Sequence, residues 1–196
     1  RTPLMFGADP MIMHNALKAA TQLHDSIGLI LFDAHAHFEP LHTYSPNSVL
    51  YHAFNGEGID LLTPQLSPEN VVIVGLRSTT PDEAIALRES RVNIFTIADI
   101  DALGMHEVTR RAILLASSGT AGVWVNYNPC VTDIRGDSGE GAGGITFRET
   151  HQTMETIAQS CNLLGLSVTG LSIEDFKQRI HHTLHFILSA LGKKIF

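Results

Sequence analysis

The 196-residue sequence predicts an α/β fold, a three-layer αβα sandwich about a mostly parallel sheet. Three observations lead there. Short β-branched apolar runs alternate with stretches of helical character, the pattern of strands joined by crossover helices. The runs are continuous apolar blocks, which fits strands covered on both faces. Charged residues make up only 17% of the chain against 44% hydrophobic, so much of it must be buried from several sides.

Taken in order, 11–23 reads as a helix, and 27–32 (IGLILF) as a fully buried strand that ends at Asp33. Residues 71–76 (VVIVGL) and 122–125 (GVWV) are further strands, with 92–97 (VNIFTI) and 166–171 (LSVTGL) as additional candidates. Helices are expected over 81–90, 106–117, 146–164 and 173–191. Thr80-Pro81-Asp82-Glu83 is a helix start, with a cap residue, proline at the first position and acids in the first turn. Ser172 to Asp175 resembles a capping box, and Gly192 followed by Lys193 and Lys194 suits a helix end. Two long loops, 39–66 and 126–144, follow predicted strands, where open α/β sheets place their ligand crevice. The glycine-rich RGDSGEGAGG lacks the Lys-Ser/Thr ending of a phosphate loop.

Composition excludes several classes. Thirteen basic against 20 acidic residues give a net charge of −7, which argues against nucleic-acid binding. A mean hydropathy of +0.10 argues against disorder. Two cysteines, Cys130 and Cys161, fit a reducing compartment, so a cytoplasmic protein is expected. No apolar run reaches the ~18 residues of a membrane span. Residues 1–196 read as one domain.

The residues that could carry chemistry begin with Asp33-Ala34-His35-Ala36-His37. On an extended strand end, residues i, i+2 and i+4 point the same way, so one carboxylate and two imidazoles would converge. Such donors suit a divalent metal, and equally a hydrogen-bonded polar cluster.

Two families place a motif of this kind after a strand. DAHAH matches the Asp-x-His-x-His of amidohydrolase barrels, but the further His-x-x-x-His pair and later Asp that those enzymes carry after other strands find no place here. The other family decides the comparison. Arg1 to Pro10 is similar to a ureohydrolase segment reading Pro-Leu-x-x-Gly-Gly-Asp-His, and VVIVGLR over 71–77 to its Ile-Gly-x-Arg segment. Val125-Asn126-Tyr127-Asn128 lies where ureohydrolases carry an Asp-x-Asp metal pair. Residues 143–149 (GGITFRE) resemble the Gly-Gly-Leu-Thr-x-Arg-Glu that opens a helix in that family. The sequence therefore resembles ureohydrolases (arginase, agmatinase, formimidoylglutamase) along nearly its whole length.

That resemblance implies an arginase-like fold and a dimanganese centre held by two histidines and four aspartates. The departures fall on those ligands. Pro10 stands in place of a histidine, His37 in place of the second carboxylate of the central motif, and Asn126 and Asn128 in place of the later aspartates. Of the metal positions Asp33, His35, His37, Asn126 and Asn128, only Asp33 keeps an anion. Two divalent ions would face a single negative charge, so no dimanganese cluster is expected. Two alternatives stay open: one divalent ion (Mn, Zn or Ni) on Asp33, His35 and His37, or no metal, with the His37 imidazolium filling the vacated position beside Asp33.

The resemblance places His52 on a loop that positions substrate, and a guanidinium-holding acid near Asp175, with Glu174 beside it. Cys130 shows no nucleophile grouping, and His181 and His185 read as packing or solvent residues. The leading functional expectation is a ureohydrolase-like protein without dimanganese hydrolysis of guanidino compounds, kept for binding, regulation or assembly. The alternative is a single-metal hydrolase of linear amidine C–N bonds. The chain is shorter than ureohydrolases and starts without their amino-terminal strands, so either it is a piece of a longer protein or that unit is lost; in the second case a homo-oligomer or association with a paralogue is expected to cover the exposed sheet.

Overall fold

The computed structural model describes residues 1–56, 61–62, 65–133, 142–171 and 173–193, with 173–178 described as backbone only. The strands are β1 (Leu4–Phe6), β2 (Ile27–Phe32), β3 (Leu66–Leu76), β4 (Asn93–Thr96), β5 (Val123–Tyr127), β6 (Thr132–Asp133), β7 (Ile145–Thr146) and β8 (Leu163–Val168). The helices are α1 (Met11–Thr21), α2 (Val49–Asn55), α3 (Pro81–Ser90), α4 (Ile97–Leu103), α5 (Met105–Ser117), α6 (Phe147–Ser160) and α7 (Ile173–Ala190).

Six strands form one sheet in the order β1-β8-β5-β2-β3-β4, and every pairing within it is parallel. β6 and β7 pair separately. Burial explains why β2 is an unbroken apolar run: all six of its residues are buried, and its five side chains divide between two cores. Ile27, Leu29 and Leu31 join Met13 and Leu17 of α1, Leu50 of α2 and Leu87 of α3 on one face. Ile30 and Phe32 join Val108 and Ala112 of α5, Met154 of α6 and Phe186 of α7 on the other. The result is the three-layer α/β sandwich that the alternating elements predict.

One glycine sets the spacing of these layers. A Cβ on Gly28 would lie 2.0 Å from the carbonyl oxygen of Ala116, so α5 can cross β2 this closely only because position 28 has no side chain.

The helix expected over 146–164 stops at Ser160, and Leu163 begins β8. Its start is as expected, with Thr146 accepting from the Glu149 N–H and Glu149 accepting in return from the Thr146 N–H. The strand expected over 92–97 gives up Ile97 to α4, which Thr96 and Asp99 open with a second reciprocal cap. β3 begins at Leu66, five residues before the apolar block, and the 39–66 loop contains α2. No helix among the described residues is long and apolar enough to cross a membrane.

Candidate functional site

Chain order and sheet order reverse at the centre of the sheet. The chain runs outward through β2, β3 and β4, then returns to place β5 on the other side of β2. A crevice opens at such a switch point, beyond the carboxyl ends of the two central strands. Asp33 follows β2 directly, and Asn128 follows β5, with the Asn128 N–H bonded to the Phe32 carbonyl. The two ends therefore meet at this point.

The DAHAH segment is not an extended strand end. The chain leaves the sheet after Phe32, and His37 has a left-handed backbone with φ 54°. The i, i+2, i+4 alignment is replaced by a hook, and the two histidines reach opposite oxygens of one carboxylate. Asp33, fully buried, accepts from His37 Nε2 at 2.9 Å and Asn128 Nδ2 at 2.9 Å on Oδ2. On Oδ1 it accepts from the His35 backbone N–H at 3.0 Å and from Cys130 Sγ at 3.3 Å, with His35 Nδ1 at 3.6 Å.

His37 is held at both ring nitrogens, since Nδ1 lies 2.9 Å from the Pro46 carbonyl. A carbonyl and a carboxylate are both acceptors, so each nitrogen must carry a hydrogen and the ring is an imidazolium. The electrostatics agree. Burial alone would favour neutral forms of both groups, but the charge of Asp33 and its hydrogen bond raise the His37 pKa above the usual histidine value. For Asp33 too, burial opposes ionisation. The His37 charge and the hydrogen bonds from both histidines outweigh it and hold the carboxyl well below the usual carboxylate range. His37 thus stands as a fixed cation against Asp33, with no ring nitrogen left over for a metal.

The asparagines are also committed. Asn128 Oδ1 accepts from the Cys130 N–H at 3.1 Å, so its N–H group, not its oxygen, faces Asp33. Asn126 lies beside Leu31 in the sheet, and its side chain turns toward β8. It accepts from Ser167 Oγ at 2.6 Å and donates to Thr169 Oγ1 at 3.0 Å.

Above these groups lies a cleft of about 460 Å³ whose wall includes Pro10, His35, His37, Glu83, Asn128 and Gly170. Pro10 precedes α1 and contributes no side-chain donor. Glu83 is a largely buried carboxylate whose pKa burial raises, and it accepts from the Phe38 N–H at 2.8 Å, which fastens the hook to α3.

Of the two residues expected to meet substrate, the structure describes the side chain of one. His52 lies within α2, not on a loop, completely buried, and among the described residues neither of its ring nitrogens finds a partner. Asp175 and Glu174 fall in the first turn of α7, but their side chains lie outside the described residues, as does most of the glycine-rich stretch, at 134–141. His181 and His185 are exposed on α7.

Cys130 is the site residue that the sequence does not reveal. It follows Pro129 in a tight turn after β5, and two arginines clamp that turn. Arg77 donates to the Cys130 carbonyl at 2.7 Å, and Arg179 to the Pro129 carbonyl at 2.8 Å. The pairing of β5 with β2 could have pointed to it, because any turn after β5 must pass the end of β2.

The model of the arginase family matches residues 1–179. The chain belongs to the arginase family. Arginase from Staphylococcus aureus strain MRSA252 is 29% identical over 197 residues, covering 94% of this chain and 63% of that protein. Arginase from Bacillus caldovelox is 31% identical over 173 residues, covering 82% of this chain and 58% of that one. The crystal structure of arginase from Bacillus subtilis strain 168, at 27% identity, superposes with a TM-score of 0.86 over all of this chain and 72% of the other. This chain thus spans less than two thirds of the length of the first two relatives.

The donors at the switch point do not fit a pair of divalent ions. Two such ions about 3.5 Å apart repel by about 20 kcal/mol even at an effective dielectric constant of about 20. Bridging carboxylates normally offset that repulsion. Among the described residues bonded to Asp33, the other groups are an imidazolium, an amide N–H, a backbone N–H and a thiol.

Proposed function

We propose that this arginase-family chain has lost dimanganese-dependent hydrolysis of guanidino compounds and retains a binding, regulatory or assembly role in the cytoplasm. One observation carries the reading. The single anionic side chain kept at the family's metal positions, Asp33, is already neutralised by the His37 imidazolium and capped by Asn128. An imidazolium in that place supplies positive charge without a metal, and it generates no hydroxide nucleophile at neutral pH. The cleft beside it is of a size for a small guanidino or amidine ligand, with Glu83 as an acidic group on its wall.

The second reading is a hydrolase of linear amidine C–N bonds with one metal. The geometry weighs against the donor set Asp33, His35 and His37, because both His37 nitrogens are engaged. Urea release from arginine, agmatine and guanidinobutyrate, assayed with added manganese, nickel or zinc, separates the two. No metal-dependent turnover is expected. Turnover that requires added metal and disappears in a folded His35→Gln variant would defeat the proposal.

A further inference from the structure

On the side of Asp33 away from His37, three donor atoms of different kinds converge. Asp33, His35 and Cys130 each offer a donor atom within 4.8 Å of the other two, with Asp33 Oδ1 3.3 Å from Cys130 Sγ and 3.6 Å from His35 Nδ1. A tetrahedral zinc ion, about 2.3 Å from sulfur and about 2.0 Å from nitrogen and oxygen, separates its ligand atoms by about 3.3–3.6 Å. The two spacings from Asp33 Oδ1 fall in that range.

We propose that Asp33, His35 and Cys130 form a mononuclear site for one thiophilic divalent cation of the zinc class. The proposal rests on the reading that no manganese pair assembles here, and it differs from that pair in ion count, in its sulfur donor and in excluding His37.

Three features support it. A Cys130 thiolate adds a second negative charge beside Asp33, so that one divalent ion leaves the cluster, His37 included, at only +1, and the thiol proton leaves to solvent on binding. A thiolate donor favours zinc or cobalt over manganese. The site is also held in place from outside. Asp33 Oδ2 keeps its bonds from His37 and Asn128, the kind of outer partners that orient a liganding carboxylate. Cys130 is fixed by Asn128 Oδ1 on its N–H and by Arg77 on its carbonyl. His35 is partly exposed on the cleft, so an ion can arrive from solvent and a fourth position stays accessible. The His37 charge opposes the added cation and holds the affinity below that of a closed thiolate site.

Cobalt reports this arrangement directly. The full chain, purified reduced and metal-free, is titrated with cobalt(II) and followed by absorbance. One equivalent should produce tetrahedral visible bands and a near-ultraviolet thiolate-to-cobalt charge-transfer band, both abolished by one equivalent of zinc. Cys130→Ser should lose the near-ultraviolet band and weaken cobalt binding by more than about tenfold. Cys161→Ser should change neither, since Cys161 lies at the far end of α6 and its thiol donates to the Ile157 carbonyl. Absence of the band in the unmodified chain would overturn the proposal however the variants fold, as would its survival in Cys130→Ser. Two bound manganese ions would overturn the preceding reading instead, by a separate measurement.

Discussion

Asp33→Ala should destabilise the fold by about 3–5 kcal/mol, the cost of leaving a buried charge without its partner. The substitution strands the His37 imidazolium and removes the acceptor for the Asn128 amide, the His35 N–H and the Cys130 thiol at once. Chemical denaturation of the metal-free protein reads this effect. His37→Leu alone should cost less, because three donors still serve Asp33. The double variant Asp33→Ala/His37→Leu should be more stable than the sum of the single losses implies, since neither charge is then left unpaired. A loss below about 1 kcal/mol for Asp33→Ala would mean that Asp33 and His37 are not a charged pair.

The second large effect is a gain. Pro10→His, His37→Asp, Asn126→Asp and Asn128→Asp together should convert a chain proposed to hold no manganese pair into one that binds two ions. The family's ligand positions are then all filled, and the carboxylates offset the repulsion between the metals. The same changes made singly should fail. Asn128→Asp alone replaces an N–H donor with a carboxylate 2.9 Å from Asp33 Oδ2, and like charges so close in a buried site destabilise the folded state. His37→Asp alone does the same and also removes the imidazolium. Manganese titration by calorimetry distinguishes the outcomes. Strong binding of two ions by any single variant would show that the ligand positions are misassigned.

The sequence disclosed the fold through its most buried parts. β2 is legible because both its faces are covered, so no polar residue interrupts it. α3 is legible because Thr80, Pro81 and two acids mark its start. α2 and α4 have only seven residues each, too few for a helical period to show, and local caps define them. β8 was obscured by Leu163 and Leu164, which continue the apolar spacing of α6 although the helix stops at Ser160. Gly165 there makes room for the Trp124 ring, a contact between strands that local pattern cannot convey.

At the site, Asp33, His35 and Asn128 could be found because each lies at or just past the end of a recognisable strand. The inward turn of His37 could not, since it depends on a left-handed backbone and on Pro46 as acceptor. Cys130 was hidden for a different reason. Its role comes from the pairing of β5 with β2 and from Arg77 and Arg179, which come from distant parts of the chain.

The central claim is that Asp33 and His37 have replaced a two-metal centre with an internal ion pair. Its most direct test is the manganese content of the unmodified protein, purified in manganese and then freed of loosely held ions by gel filtration. The account predicts one ion per chain or fewer by elemental analysis. Two tightly held manganese ions per chain would contradict it.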